Sequence, residues 1–175
     1  NRNNMGHFKQ YDEATAKYHQ DLNIKTTPIF SWDFHYGFLS ELKNTFIDLN
    51  KLNGISSLGR WSQNNWDFKE ILKEEVIVVT DTQLRIVFAS NNIIKMNGYR
   101  EEEILGNSPK MFHGEATCQR VSKEIRNAIE LQVPFEKTVL NYKKNGETYL
   151  CLIKGFPIFD SKGKLSHFIA FEKAA

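Results

Sequence analysis

Cysteine is scarce in this chain, and the two present, Cys118 and Cys151, have neither a CxxC spacing nor a histidine pattern beside them. That excludes a zinc-finger framework and a disulfide scaffold, and fits reduced thiols in a cytoplasmic setting. Net charge is also lacking: 23 lysines and arginines stand against 21 aspartates and glutamates. No field of one sign exists to draw the chain to nucleic acid or to an anionic membrane. No apolar run approaches the ~20 residues that span a bilayer, and residues 1–20 lack a signal-peptide core. Catalytic signatures are absent as well, with no GxSxG, P-loop or HExxH, so a non-enzymatic protein is expected.

What is present is the composition of a folded domain, 41% hydrophobic and 25% charged. At 175 residues one domain with an appendage is the default. The division expected is an N-terminal helical extension over 1–70, a cap or dimerisation region, and a domain over 71–175. Residues 13–22 hold helix formers with few apolar side chains, so a helix there needs a partner surface. Trp32, Phe34, Phe38, Leu39, Leu42, Phe46, Leu49 and Leu52 recur at spacings near three and four. The pattern predicts an amphipathic helix over 33–52, ended by Asn53-Gly54. Its stripe must be buried, either on the chain's own domain or in a homodimer through Trp32, Phe34, Phe38 and Phe46. Residues 54–65 read as a loop and 66–74 as a short helix.

From residue 76 the pattern becomes strands, over 76–80 and 84–88 around the Asp81 turn. Ser90 or Asn91 is placed to cap a short helix that stops at Asn97-Gly98, and 101–105 adds a turn. Thr117 is expected to cap a longer helix with Val121, Ile125 and Ile129 on one face. Strands over 135–142, 148–158 and 165–171 close the chain, parted by Asn145-Gly146 and Lys162-Gly163 turns. Helices inserted between two strands and three more predict an α+β fold with one antiparallel sheet.

The stretches VIVVTDTQLRIVFASNNIIKMNGYREEEILGNSPKMFHG and PFEKTVLNYKKNGETYLCLIKGFPIFDSKGKLSHFIAFEK resemble PAS sensory domains. The resemblance implies a five-stranded antiparallel sheet with helices on one face. It also implies a sensory or regulatory role in signal transduction, binding a small ligand or a protein partner. Within that family the sequence is similar to the flavin-binding LOV group, whose signature GRNCRFLQG holds a photoactive cysteine. Residues 106–114 align with that signature and place Pro109 on the cysteine, which removes the nucleophile that adduct chemistry needs. Asn141 matches one flavin-contacting amide, while Cys151, Glu172 and His113 stand where the group has asparagine or glutamine. The stretch 108–114 is closer to PAS domains of bacterial histidine kinases and diguanylate cyclases.

Strand alternation puts Val139 and Asn141 on one face, with Tyr149, Cys151 and Ile153 beside them. The alignment implies that this face lines a pocket, together with Met111, His113 and Glu172. No metal site is expected. The cofactor expectation is none, with flavin or haem without adduct chemistry as the alternatives. The expected partners are a second copy of the chain, a downstream signalling protein and an unidentified small ligand. A ligand-free interaction module is the rival reading, and a stand-alone protein and an excised fragment are both open.

Overall fold

The computed structural model describes residues 29–62 and 66–175, with side chains from residue 36 onward. The helix expected over 13–22 and the side chains of Trp32 and Phe34 lie outside the described residues. Helix α1 spans Ile29–Leu58 and α2 spans Phe68–Glu74. Strands β1 (Val76–Asp81) and β2 (Ile86–Ala89) follow, then α3 (Ile93–Asn97), α4 (Glu101–Ile104) and a 3-10 turn over Pro109–Phe112. Helix α5 (Gln119–Glu130) leads to β3 (Phe135–Tyr142), β4 (Thr148–Phe159) and β5 (Leu165–Ala174).

The strands form one sheet in the order β2-β1-β5-β4-β3, with every pair antiparallel. The α+β architecture implied by the sequence is therefore present. Each end strand pairs on one side with its hairpin partner, β2 with β1 and β3 with β4, and β5 runs through the centre between β1 and β4. Side chains alternate across this sheet, so β1 divides its apolar residues between two cores. Ile77 and Val79 join Leu52, Leu72, Phe88, Ile158, Ile169 and Phe171 on the outer face. Val76 and Val78 join Ile86, Ala89, Ile93, Ile104 and Phe112 on the inner face. A bulge between Val79 and Thr80 lets Ile86 and Phe88, two residues apart, serve opposite cores.

Helix α1 runs past the stop expected at Asn53-Gly54. Leu49, Leu52 and Ile55 pack against the outer-face core, and this tertiary contact outweighs the local helix-breaking tendency of one glycine, about 1 kcal/mol. The helix ends instead where Arg60 takes a positive φ of 48° and Trp61 bridges to Asp160. The aromatic stripe is accordingly split: Phe38, Leu39, Leu42 and Phe46 are exposed. The chain forms two compact units, residues 1–41 and Leu42–Ala175, so the second half of α1 belongs to the same unit as the sheet.

Asp48 fixes that second half. It is 3% exposed and accepts hydrogen bonds from Asn91 N at 2.8 Å and Asn91 Nδ2 at 2.6 Å. Burial raises its carboxyl above the usual range, against the lowering effect of the Asn91 bonds. Lys51 pairs with Glu101 one turn further on.

Two caps differ from expectation. Asn92, not Ser90 or Asn91, occupies the cap of α3, because Ser90 Oγ is drawn away to accept from Ile77 N at 2.8 Å. Cys118, not Thr117, caps α5; Thr117 Oγ1 instead accepts from Gly114 N and donates to Leu140 O at 2.7 Å.

Candidate functional site

The inner face of the sheet changes character from β1 toward β3. Near β1 it is apolar and closed by α3, α4 and the 3-10 turn. Across β5, β4 and β3 the register sets Glu172 beside Ile153 and Ile153 beside Lys137. Val139 stands opposite Cys151 and Asn141 opposite Tyr149 in the adjoining rows. In the row of Val78, Ala170 and Gly155 the side chains are small. A Cβ on Gly155 would come within 2.3 Å of the Phe135 ring, which lies over it. Glycine there is a condition of that close approach.

Polar groups gather in this part of the face. Asn141 and Glu172 are 2% and 5% exposed, and Asn97 at the end of α3 is fully buried. Cys151 Sγ donates to Glu172 Oε2 at 3.7 Å. Burial pushes the Glu172 carboxyl up to about 7, with the Cys151 contact opposing. The Cys151 thiol is pushed well above its ordinary value, first by burial and then by the Glu172 charge. Tyr149 is raised in the same way, by burial first and then by Cys151 and Glu172, while the Asn141 and Asn97 amides near its hydroxyl pull it back. Those amides fall short of hydrogen-bond geometry. Asn97 Nδ2, Asn141 Oδ1 and Tyr149 Oη are buried and without partners here, as is Thr80 Oγ1 in the distant row of Phe168 and Pro157.

Helix α5 covers this region loosely. It packs along β3, where Lys137 Nζ meets Glu124 at 2.6 Å, yet it contains no buried residue. Val121, Ile125 and Ile129 on its apolar face are half-exposed, as are Ile153 and Ala170 of the sheet.

The structure thus brings Asn141, Tyr149, Cys151 and Glu172 together, with Val139 in the row of Cys151 and Ile153 in the row of Glu172. Met111 and His113 lie on the other flank. Met111 packs against the helix-side core. His113 is half-buried, and burial followed by the Lys110 charge lowers its imidazole. Asn97 and Thr80 were not singled out in the sequence. Asn97 reads there as a helix stop, and it does perform that task, its Oδ1 accepting from Tyr99 N at 3.0 Å. Its free Nδ2 has no local signal.

A cleft of about 380 Å³ lies on the rim, lined by α3 and the β3–β4 turn from Ile94 to Gly98 and from Lys143 to Glu147. Of its lysines Lys95, Lys143 and Lys144, Lys143 pairs with Glu147 of the same lining and Lys144 with Glu103. Among the described residues no three histidine, cysteine or acidic side chains converge as a metal site.

A family model described as PAS domain matches residues 74–173, more than half of the sequence. The chain belongs to the PAS domain family. Protein TWIN LOV 1 of Arabidopsis thaliana is 39% identical over 88 residues, covering 50% of this chain and 22% of that protein. A blue-light-activated histidine kinase of Brucella canis is 31% identical over 85 residues, 49% of this chain and 17% of the kinase. The PAS chain therefore spans about a fifth of those relatives' length. Among solved structures, the light state of the blue-light photoreceptor Aureochrome1 LOV superposes with a TM-score of 0.57 at 29% identity, covering 61% of this chain and 85% of that one.

The similarity to LOV domains raises flavin as a candidate, and the polar edge of the site tests it. An isoalloxazine ring presents donors and acceptors together, which amide side chains satisfy. Here Asn141 keeps an amide, but the Cys151 thiol is turned into the Glu172 carboxyl. The thiol offers the ring no paired donor and acceptor, and Glu172 offers them only while it carries its proton. Pro109 opens the 3-10 turn at the aligned cysteine position and carries no nucleophile. At the Cys151 and Glu172 positions this PAS domain lacks the amides that the resemblance to LOV domains associates with flavin.

Proposed function

We propose that this PAS domain is a non-catalytic sensory module of a signalling protein, and that its inner sheet face between α5 and β3–β5 binds a small polar ligand. The observation that carries the reading is the set of three buried, unpartnered polar atoms, on Asn97, Asn141 and Tyr149. Each such group costs about 1–3 kcal/mol when left unmade, and native interiors hold few of them. Three around one patch offer the partners that a hydrogen-bonding ligand would take up. The similarity to a region of a blue-light-activated histidine kinase supports a signalling role with a downstream protein partner.

Native mass spectrometry of the gently purified protein tests this, run beside an absorption spectrum. The expected result is a small bound mass without flavin or haem bands, lost in Asn141→Leu. A bare chain mass in both proteins, with no small molecule raising the melting temperature, would turn the reading toward a ligand-free interaction module.

Homodimerisation through α1 accompanies the proposal and is supported by exposed Phe38 and Phe46, at 54% and 65%. Sedimentation of Phe38→Glu and Phe46→Glu variants is expected to show monomers; a wild-type protein already monomeric at high concentration would remove the dimer.

A further inference from the structure

We infer that the ligand of the inner face is a small organic cation, an amine or amidine with an apolar body, and that Glu172 is its counter-charge. The inference rests on the reading of that face as a ligand site and names the chemistry of the ligand.

Glu172 is a buried carboxyl without a countercharge. From β1 its register partner is Val76 and from β4 it is Ile153, both apolar. The titratable groups that face it are Cys151 and Tyr149 of β4, each held neutral by burial. The α3 group at the cluster, Asn97, carries no charge. The nearby lysines are matched to other acids: Lys137 to Glu124 at 2.6 Å, Lys154 to Glu75 at 2.9 Å and Lys173 to Glu74 at 2.8 Å. Among the described residues Glu172 makes no ion pair, and its side-chain partner is one thiol at 3.7 Å.

The unpartnered atoms point the same way. Asn141 Oδ1 accepts only, while Tyr149 Oη accepts as readily as it donates. Asn97 Nδ2 alone is a pure donor, its orientation set by the bond from Tyr99 N to Oδ1. With the carboxyl included, acceptors outnumber donors. An ammonium group brings three N–H donors and no acceptor, and an amidinium group is likewise donor-only. An anion would instead meet Glu172, and a neutral ligand would leave the carboxyl without a counter-ion. The half-exposed Val121, Ile125 and Ile153 offer an apolar bed for the rest of the molecule.

Because burial holds the carboxyl near 7, cation and proton compete for it. Below that pH Glu172 carries the proton and binding is weak. Above it the carboxylate is free, and an alkylamine stays protonated to about pH 10.

Benzylamine, benzamide and benzoate form a matched cation, neutral and anion set for calorimetric and NMR titration at pH 6 and pH 8. Benzylamine is expected to bind, about tenfold tighter at pH 8 than at pH 6, with proton release visible when buffers of different ionisation heat are compared. Glu172→Gln, which keeps the side chain's size, is expected to lose at least about tenfold in benzylamine affinity together with the pH dependence. The wild-type pH series needs no variant and stands if Glu172→Gln misfolds. Tighter binding of benzamide or benzoate, or benzylamine binding indifferent to pH, would overturn the inference while leaving a ligand site in place. No shift of inner-face resonances with any of the three would also overturn the inference, while a bound mass in the native spectrum would keep the ligand site in place.

Discussion

The two faces of the sheet follow opposite rules. On the outer face, Trp66, Phe156 and Phe171 stack on one another with ring centroids 5.3 to 5.7 Å apart, over a floor of Ile77, Val79 and Ile169. The polar group brought into that side of the fold, Asp48, is fully matched by Asn91. On the inner face between β3 and β5, polar groups are buried and left incomplete. A protein interior normally closes its hydrogen bonds, since an orphaned group costs more than a made bond returns. One face is thus built to hold the fold and the other to hold something else. Substitutions on the two faces should have effects of opposite sign.

The largest effect is expected outside. Phe171→Ala removes a ring that touches both Trp66 and Phe156, and should cost about 3–5 kcal/mol in urea unfolding. Glu172→Gln, the next residue along β5 but on the inner face, should do the reverse at alkaline pH. In the folded protein the carboxyl keeps its proton up to about 7, against 4.5 ordinarily. Its contribution is therefore most favourable below the unfolded value and is lost as pH rises through about 7. Removing the charge should raise stability at pH 8 by up to ~3 kcal/mol and change nothing at pH 4. Equal effects at both pH values would contradict the account of that carboxyl.

Asp48→Ala is intermediate. It leaves Asn91 N and Nδ2 without their acceptor, a cost of about 1–3 kcal/mol. Hydrogen exchange should show the second half of α1 opening earlier than in wild type. The smallest effect belongs to Tyr149→Phe. Deleting a hydroxyl that has no partner should leave stability unchanged or raise it by up to about 1 kcal/mol, while weakening ligand binding. A loss of stability there would show that the hydroxyl is satisfied and blunt the contrast between the faces.

The strand order and the hairpins were legible because turn residues and period-2 runs are local signals, and their order is specific to the family. Helix α1 was legible as a helix but not in its extent. Nothing near Asn53-Gly54 announces that Leu52 and Ile55 are pinned on a sheet formed by residues far along the chain. The same limit applies to the site. Strand alternation placed Asn141, Val139, Tyr149, Cys151 and Ile153 on one face, whereas Asn97 joins them through a helix packing that no local pattern encodes. His113 was grouped with Glu172 by alignment. In the structure it answers to burial and to Lys110, and no ion pair joins it to Glu172 among the described residues.

The contrast between the faces rests on polar groups that the protein leaves without partners, and Glu172 reports on that most directly. Carbon-13 NMR of the glutamate side-chain carboxyls, titrated from pH 3 to pH 9 in wild type and Glu172→Gln, reads it alone. The account predicts one carboxyl titrating near 7 that is missing from the variant and moves to lower pH when benzylamine is added. A wild-type spectrum in which every glutamate titrates in the ordinary range near 4 to 5 would mean that Glu172 is already satisfied within the protein, and would contradict the account.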